Sequence, residues 1–377
     1  MKILVISNNY PTDKMPYHGT FVYQLIQQFC KIGHEVTVIR PTYLVPKKIT
    51  KKNFVYGKEL AKVYRPKYLS TSAKSIFGFN TYRLGERFQA NAIKRVVKKN
   101  KIEFDVVYAH FFTNAFIAVK ALKIYNKPIF TAIGEYYHID VRRSYYSPEF
   151  YSKTLSEISG FVAVSPQIQE KLISLGVPNN NIIVRPNGVD FSIFRKLDKN
   201  EMRKKYNLPL NKKLIVFVGR FVPDKGPLKL LQAIERIKDI GIIFIGSGSE
   251  ELISNKIVFK DRVPANLVPE LLSAADLFSL PTLHEGSCNA IVEAMACGLP
   301  IVSSDIPEIK VQCDPSFSRL VDPLDVDCIY EAINEIISSE EKINEMSLNA
   351  LNYVKQFDIT ERAKSIVNFL EKKSLIN

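Results

Sequence analysis

No apolar run in this 377-residue chain approaches the roughly 20 residues needed to span a bilayer. The first apolar segment, residues 1–7, is too short for the core of a secretory signal and is followed at once by polar residues, so export is not expected. Cysteine is scarce and odd in number: Cys30, Cys288, Cys297, Cys313 and Cys328, with no Cys-x-x-Cys pair. That argues against a disulfide framework and a structural zinc site, and for a reducing, cytoplasmic setting. No Gly-x-Gly-x-x-Gly follows the first apolar run, which speaks against a dinucleotide fingerprint there. The hydrophobic fraction of 46% and charged fraction of 24% are those of a globular protein, and the length suffices for two domains with sizeable cores.

What is abundant is positive charge, and it is uneven. Residues 1–190 hold 28 Lys and Arg against 12 Asp and Glu, a net of +16; residues 191–377 hold 24 against 26, a net of −2. A basic half suits nucleic acid, an anionic membrane surface or an anionic substrate, or is simply a Lys-rich solvated surface. Within it, residues 43–82 are the least regular. There Lys47, Lys48, Lys51, Lys52, Lys58, Lys62, Arg65 and Lys67 alternate with Phe54, Tyr56, Tyr64 and Tyr68. Aromatics among bases can stack on nucleobases or lie at a membrane interface, and the interface reading is preferred over a plain solvated insert.

The order of apolar runs predicts an α/β chain. Strands are expected at 2–7, 35–40, 104–110, 128–133, 160–165 and 181–185, with helices at 20–31, 83–99 and 166–175. A polar, Lys-rich span, 195–213, reads as a linker with a lead-in helix. A second unit follows, with strands at 214–220, 242–245, 258–263, 275–280 and 301–303. The βαβ start favours a parallel sheet, and open α/β sheets place ligands at strand carboxyl ends. Candidate residues at such ends are His110, Arg220, Arg262 and Val263. Gly19 at a helix entrance and Gly246 and Gly248 in a loop allow close backbone approach; ordinary turn duty also explains them.

The most informative stretch is Glu285-Gly286-Ser287-Cys288-Asn289-Ala290-Ile291-Val292-Glu293-Ala294-Met295-Ala296-Cys297-Gly298-Leu299-Pro300. Glu285 falls in a strand-to-helix loop and Glu293 about two turns into a helix that Gly298 stops. Free loop amides and the helix dipole suit a phosphate, while the two acids suit sugar hydroxyls on either side of it. Taken alone, two solvated helix-end acids would also account for the pair. The two acids, separated by seven residues within Glu-Gly-x-x-Asn-x-x-x-Glu-Ala-Met-Ala-x-Gly-x-Pro, resemble the mark of the retaining glycosyltransferases of family 4. Two further runs resemble that family: Gly219-Arg220 followed by Lys225-Gly226, and Pro186-Asn187-Gly188-Val189-Asp190 with Phe194.

The resemblance implies a GT-B architecture, two Rossmann-like domains facing a cleft, with boundaries expected at 1–190, 191–355 and a returning helix at 356–377. It implies a nucleotide-sugar donor, UDP-linked, on the second domain and a glycan or lipid-linked acceptor on the first, in cell-surface polysaccharide synthesis. Arg220 and Lys225 would grip the diphosphate, Glu285 the donor sugar and Glu293 the ribose. Gly286, Ser287, Cys288 and Asn289 would support sugar and phosphate, and Arg262 and Val263 the base. Gly248 and Gly19 would line the ligands. No metal is expected, the two cations standing in for one, and no nucleic acid; an anionic membrane surface is a possible partner. The family pattern breaks at Thr131-Ala132-Ile133-Gly134-Glu135-Tyr136, where relatives carry Thr-x-His-Gly-x-Asp. Isoleucine cannot replace a histidine, so His110, Glu135 or His138 takes that task, or the acceptor side works differently. A sugar-nucleotide epimerase or phosphorylase of the same build, a non-catalytic subunit and a nucleic-acid binder are the rival readings.

Overall fold

The computed structural model describes residues 1–12, 18–44, 58–71, 75–76 and 79–375. Lys47, Lys48, Lys51, Lys52, Phe54 and Tyr56, and the side chain of His138, lie outside the described residues. The chain forms two compact units, Met1–Pro186 with Ile359–Asn377, and Asn187–Asp358.

Unit 1 holds β1 (Lys2–Ile6), β2 (Glu35–Ile39), β3 (Thr42–Tyr43), β4 (Lys62–Tyr64), β5 (Lys67–Tyr68), β6 (Ser75–Ile76), β7 (Phe79–Asn80), β8 (Val106–His110), β9 (Ile129–Ile133), β10 (Gly160–Ala163) and β11 (Ile182–Val184). Seven of them form a parallel sheet in the order β11-β10-β9-β8-β1-β2-β4. The insert expected to be irregular thus supplies an edge strand. Unit 2 holds β12 (Lys213–Phe221), β13 (Ile240–Gly248), β14 (Ile257–Asp261), β15 (Leu277–Leu280), β16 (Ile301–Ser304) and β17 (Ser318–Val321), all parallel, in the order β14-β13-β12-β15-β16-β17. This is the doubly wound, Rossmann-like arrangement twice over, the GT-B fold class.

The central strands are apolar along their whole length because helices cover both faces. On one face of the unit 1 sheet, the helix Thr20–Lys31 buries Val22, Leu25, Ile26 and Phe29, a spacing of three, four and seven. The C-terminal helix Ile359–Ser374 packs on the same face through Ala363, Ile366, Val367 and Leu370. Gly160 makes room for it: a β-carbon there would lie 2.7 Å from the Phe369 ring.

Two expectations shift. The unit junctions fall at 186/187 and 358/359, not 190/191 and 355/356. Val189 N–H donates to the Phe357 carbonyl at 2.8 Å, and Val189 bridges Asp358, so both short segments are laced together inside unit 2. Nor is 195–213 a linker. Asp198 caps the helix Lys199–Lys205, and Arg203, 4% exposed, donates to Asp276 at 2.7 Å and to the Ala274 carbonyl at 2.9 Å. Asp276 also accepts from Lys199 Nζ at 2.6 Å and from Leu214 N–H at 2.8 Å. This carboxylate fastens the segment to the start of β12. Asp276→Ala leaves the Arg203 charge buried and unpaired, and should cost unit 2 about 3 kcal/mol in urea unfolding.

Candidate active site

In each sheet the strand order reverses once, and a crevice opens at the carboxyl ends there. In unit 2 the reversal lies between β12 and β15. Arg220 and Lys225 follow from β12, and Glu285 from β15. The structure therefore brings both cations and the first acid to a single topological point.

The loops after these two strands are sewn together. Lys225 Nζ donates to Glu285 Oε1 at 2.5 Å, to the His284 carbonyl at 3.0 Å and to Thr282 Oγ1 at 3.2 Å. Leu283 N–H donates to the Asp224 carbonyl at 2.8 Å. Thr282, wholly buried, gives its own carbonyl to Ser304 Oγ at 2.6 Å. Gly226 closes the turn with φ 64°, and a β-carbon there would strike the Pro281 carbonyl oxygen at 2.3 Å. Lys225 and Glu285 are each 16% exposed, so the ion pair is partly shielded and preformed. Arg220 is different: its side chain is exposed and, among the described residues, makes no hydrogen bond or ion pair.

Gln312 was missed by sequence reasoning. Fully buried, its Oε1 accepts from Cys288 N–H at 2.7 Å and its Nε2 donates to Ser287 Oγ at 3.2 Å. Ser287 Oγ also accepts from Asn187 N–H at 3.1 Å. This corrects one expectation: the Cys288 amide is spent on Gln312 and is not free for a phosphate, and its thiol is buried. Nothing local in the sequence marks Gln312, which acts from 24 residues away. The helix Asn289–Ala296 begins immediately after, so Glu293 is its fifth residue, just over one turn in rather than two. Asn289, Ala290 and Glu293 form its half-buried strip, while Ile291, Val292 and Ala294 to Ala296 are buried. Asn289 Oδ1 has no hydrogen-bond partner. Burial pushes the Glu293 carboxyl up to about 8.

Further along the same edge, Gly248 ends β13, and Arg262 and Val263 follow β14. A β-carbon at Gly248 would lie 2.0 Å from the Phe221 carbonyl oxygen, so close packing of β13 on β12 accounts for this glycine without a ligand. Arg262 is exposed, its N–H donating to Asp261 Oδ1 at 2.7 Å, and Val263 is half-buried against the core. The chain does carry an Asp-x-Asp tripeptide, Asp325-Val326-Asp327, just after the outermost strand β17 and two strands from β15. Asp325 caps the helix Val326–Ile337 by accepting from Asp327 N–H at 2.8 Å, and Asp327 pairs with Arg236.

In unit 1 the order reverses between β1 and β8. His110 ends β8, and Gly19 closes the loop after β1. His110 is 4% exposed, edge-on to Phe21 and Phe111 at centroid distances of 5.7 and 4.8 Å. Burial, then Arg362, pushes its imidazole down to about 3. The ring is thus neutral and can offer a hydrogen bond, but is a poor proton acceptor. The next residue, Phe111, has φ 76°, backbone strain of the kind that clusters at functional edges. Gly19 has φ 74°, and a β-carbon there would lie 2.3 Å from the Asn9 carbonyl oxygen. Ile133, where the family pattern would put a histidine, is fully buried in the core.

The model of the glycosyl transferases group 1 family matches residues 198–353, and that of glycosyltransferase family 4 matches residues 18–192. Together they span nearly all of both units. The chain belongs to the group 1 glycosyltransferases. This glycosyltransferase is 28% identical to the candidate teichuronic acid biosynthesis glycosyltransferase TuaC of Bacillus subtilis over 97% of each chain. It is 31% identical to the UDP-Gal:alpha-D-GlcNAc-diphosphoundecaprenol alpha-1,3-galactosyltransferase of Escherichia coli, over 49% of this chain and 52% of that one. Its fold is shared with Anabaena HepE, solved with UDP and glucose, at TM-score 0.72 and 18% identity over 99% and 100% of the two chains. No described helix of the glycosyltransferase is long and apolar enough to cross a membrane.

Glu293 makes a pH prediction. Its folded-state value lies above the ordinary 4.5, so the folded protein favours the protonated form. The stability this contributes is complete below about pH 4.5 and is lost as pH rises through about 8. Glu293→Gln removes the loss, worth on the order of 4 kcal/mol. Urea midpoints should match wild type near pH 4 and exceed it near pH 8.5.

Proposed function

We propose that the chain transfers a hexose from a UDP-linked donor to a glycan or lipid-linked acceptor in cell-surface polysaccharide synthesis, with retention of anomeric configuration. The observation that carries this reading is the Lys225–Glu285 pair at the unit 2 switch point, with Arg220, unpaired among the described residues, near the end of β12 and Glu293 on the helix that follows β15. The Bacillus and Escherichia relatives, named for a teichuronic acid and a diphosphoundecaprenol acceptor, support the choice of acceptor class.

Arg220 and Lys225 neutralise the diphosphate as the bond from the sugar's anomeric carbon to the phosphate oxygen breaks. Glu285, anchored by Lys225, accepts from a hydroxyl of the donor sugar. Glu293 and Asn289, one turn apart on the half-buried strip of their helix, accept from the ribose hydroxyls. The acceptor hydroxyl attacks from the face the diphosphate leaves, and its proton passes to the departing phosphate oxygen. Two fixed cations supply the charge that a metal would otherwise provide, so activity should not need one. Unit 1, with its excess of bases, takes the acceptor, and its surface suits an anionic membrane.

Thermal shift against a panel of sugar nucleotides tests the donor site. One donor class should raise the melting temperature of wild type, and the shift should vanish in Glu293→Ala and Lys225→Ala. Equal shifts in all three proteins would refute the placement. Calorimetry gives a second check. Ribose hydroxyls donating to Glu293 favour its charged form, so UDP binding near pH 7 should release protons. Titrations in two buffers of different ionisation enthalpy should show this release in wild type and not in Glu293→Gln.

A further inference from the structure

Unit 1 holds a cation that the donor chemistry does not use. Arg40 follows β2 at the carboxyl edge of the sheet, one strand from the switch point. It is 3% exposed, and its Nε is buried without a hydrogen-bond partner. Among the described residues its guanidinium makes no ion pair. Its surroundings add positive charge rather than remove it. Arg40 N–H donates to the Tyr64 carbonyl at 2.8 Å and Thr42 N–H to the Pro66 carbonyl at 2.8 Å, which sets Arg65 directly alongside. Arg65 is exposed and likewise unpaired among the described residues. The nearest acid in sequence on that side, Glu59, is already engaged: it accepts from Tyr10 at 2.8 Å and from Gln27 at 2.6 Å. Two phenols complete the setting, Tyr43 and Tyr68, whose rings sit 5.4 Å apart on the β3–β5 ribbon.

A guanidinium buried without a counter-ion is among the costlier things a fold can hold, and the cost is relieved when an anion arrives. Burial first, then Arg65, disfavours the Arg40 charge, and no carboxylate acts to restore it. We propose that Arg40 and Arg65, with the Tyr43 and Tyr68 hydroxyls, form an anion site on unit 1 that takes a phosphate or diphosphate group of the acceptor. Two guanidinium forks match an oxyanion carrying more than one negative charge, which a phosphate offers and a sugar carboxylate does not. This rests on the reading of unit 1 as the acceptor unit, and it narrows the acceptor from any glycan to a phosphorylated one.

The test keeps the donor site filled. With UDP saturating, inorganic diphosphate should bind wild type at a second site. Arg40→Met should weaken that binding by about tenfold or more, and Arg65→Gln by less, with UDP affinity unchanged in both. Without ligand, Arg40→Met should melt above wild type, because it removes an unpaired buried charge. A structural arginine would do the reverse, so a lower melting temperature or failure to fold overturns the proposal. Unchanged diphosphate binding in Arg40→Met, or in the surface variant Arg65→Gln, also overturns it. Glucuronate competing as well as diphosphate would overturn the phosphate assignment. Farnesyl diphosphate binding more tightly than inorganic diphosphate would assign the group to a lipid carrier, and equal binding to a soluble sugar phosphate; either supports the site. Should UDP fail to bind while Arg40-dependent diphosphate binding persists, the donor reading falls and the anion site stands.

Discussion

Lys225 and Glu285 are 60 residues apart, yet their charged ends meet at 2.5 Å. The contact exists because β12 and β15 are neighbours at the point where the sheet changes direction. It holds because Leu283 N–H and Thr282 Oγ1 both bond the Asp224 carbonyl and tie the two loops together. A lysine has four rotatable side-chain bonds and would lose much of its freedom on gripping a phosphate. Here that freedom has already been given up to Glu285, Thr282 and the His284 carbonyl. The cation stands ready for the ligand, which is what electrostatic catalysis asks of a site. Arg220, exposed near the end of β12 and unpaired among the described residues, supplies the adjustable partner.

The two units repeat one topology but give their carboxyl edges opposite characters. Unit 2 presents a fixed ion pair, an arginine that is unpaired among the described residues, and a carboxyl whose protonated form burial favours. Unit 1 presents a neutral imidazole and two arginines without counter-ions among the described residues, Arg40 beside β2 and Arg362 on the C-terminal helix, its Nε also unpartnered there. The net charge of +16 in the first 190 residues is therefore more than a solvated coat, because part of it is buried near the functional edge.

What was legible in the sequence was local. Glycine and proline punctuation placed the helix after Glu285 to within one residue of its observed end, and the helix at residues 20–31 was placed without error. Apolar runs bounded by turns located most strands of both sheets. Illegible were the side chains that act across the sheet. Gln312 orders the Ser287–Cys288 loop from a turn 24 residues further along the chain. Asp276 turns an apparent linker into part of unit 2. Arg203 and Arg40 look on paper like any surface base. Each depends on which strand lies beside which, and periodicity carries no record of that. The early part of the insert blurred for another reason: a three-residue edge strand such as β4 gives too short a run to show alternation.

The Ile359–Ser374 helix has one further consequence. Because it completes the core of unit 1 after unit 2 has intervened, unit 1 is discontinuous along the chain and unit 2 is, in effect, an insertion within it. A ribosome releases everything unit 2 needs before the last piece of unit 1 emerges. The earlier-made half must therefore wait, one hydrophobic face of its sheet partly uncovered, until the final helix arrives to close it. Shortening the tail would then injure the beginning of the protein rather than its end.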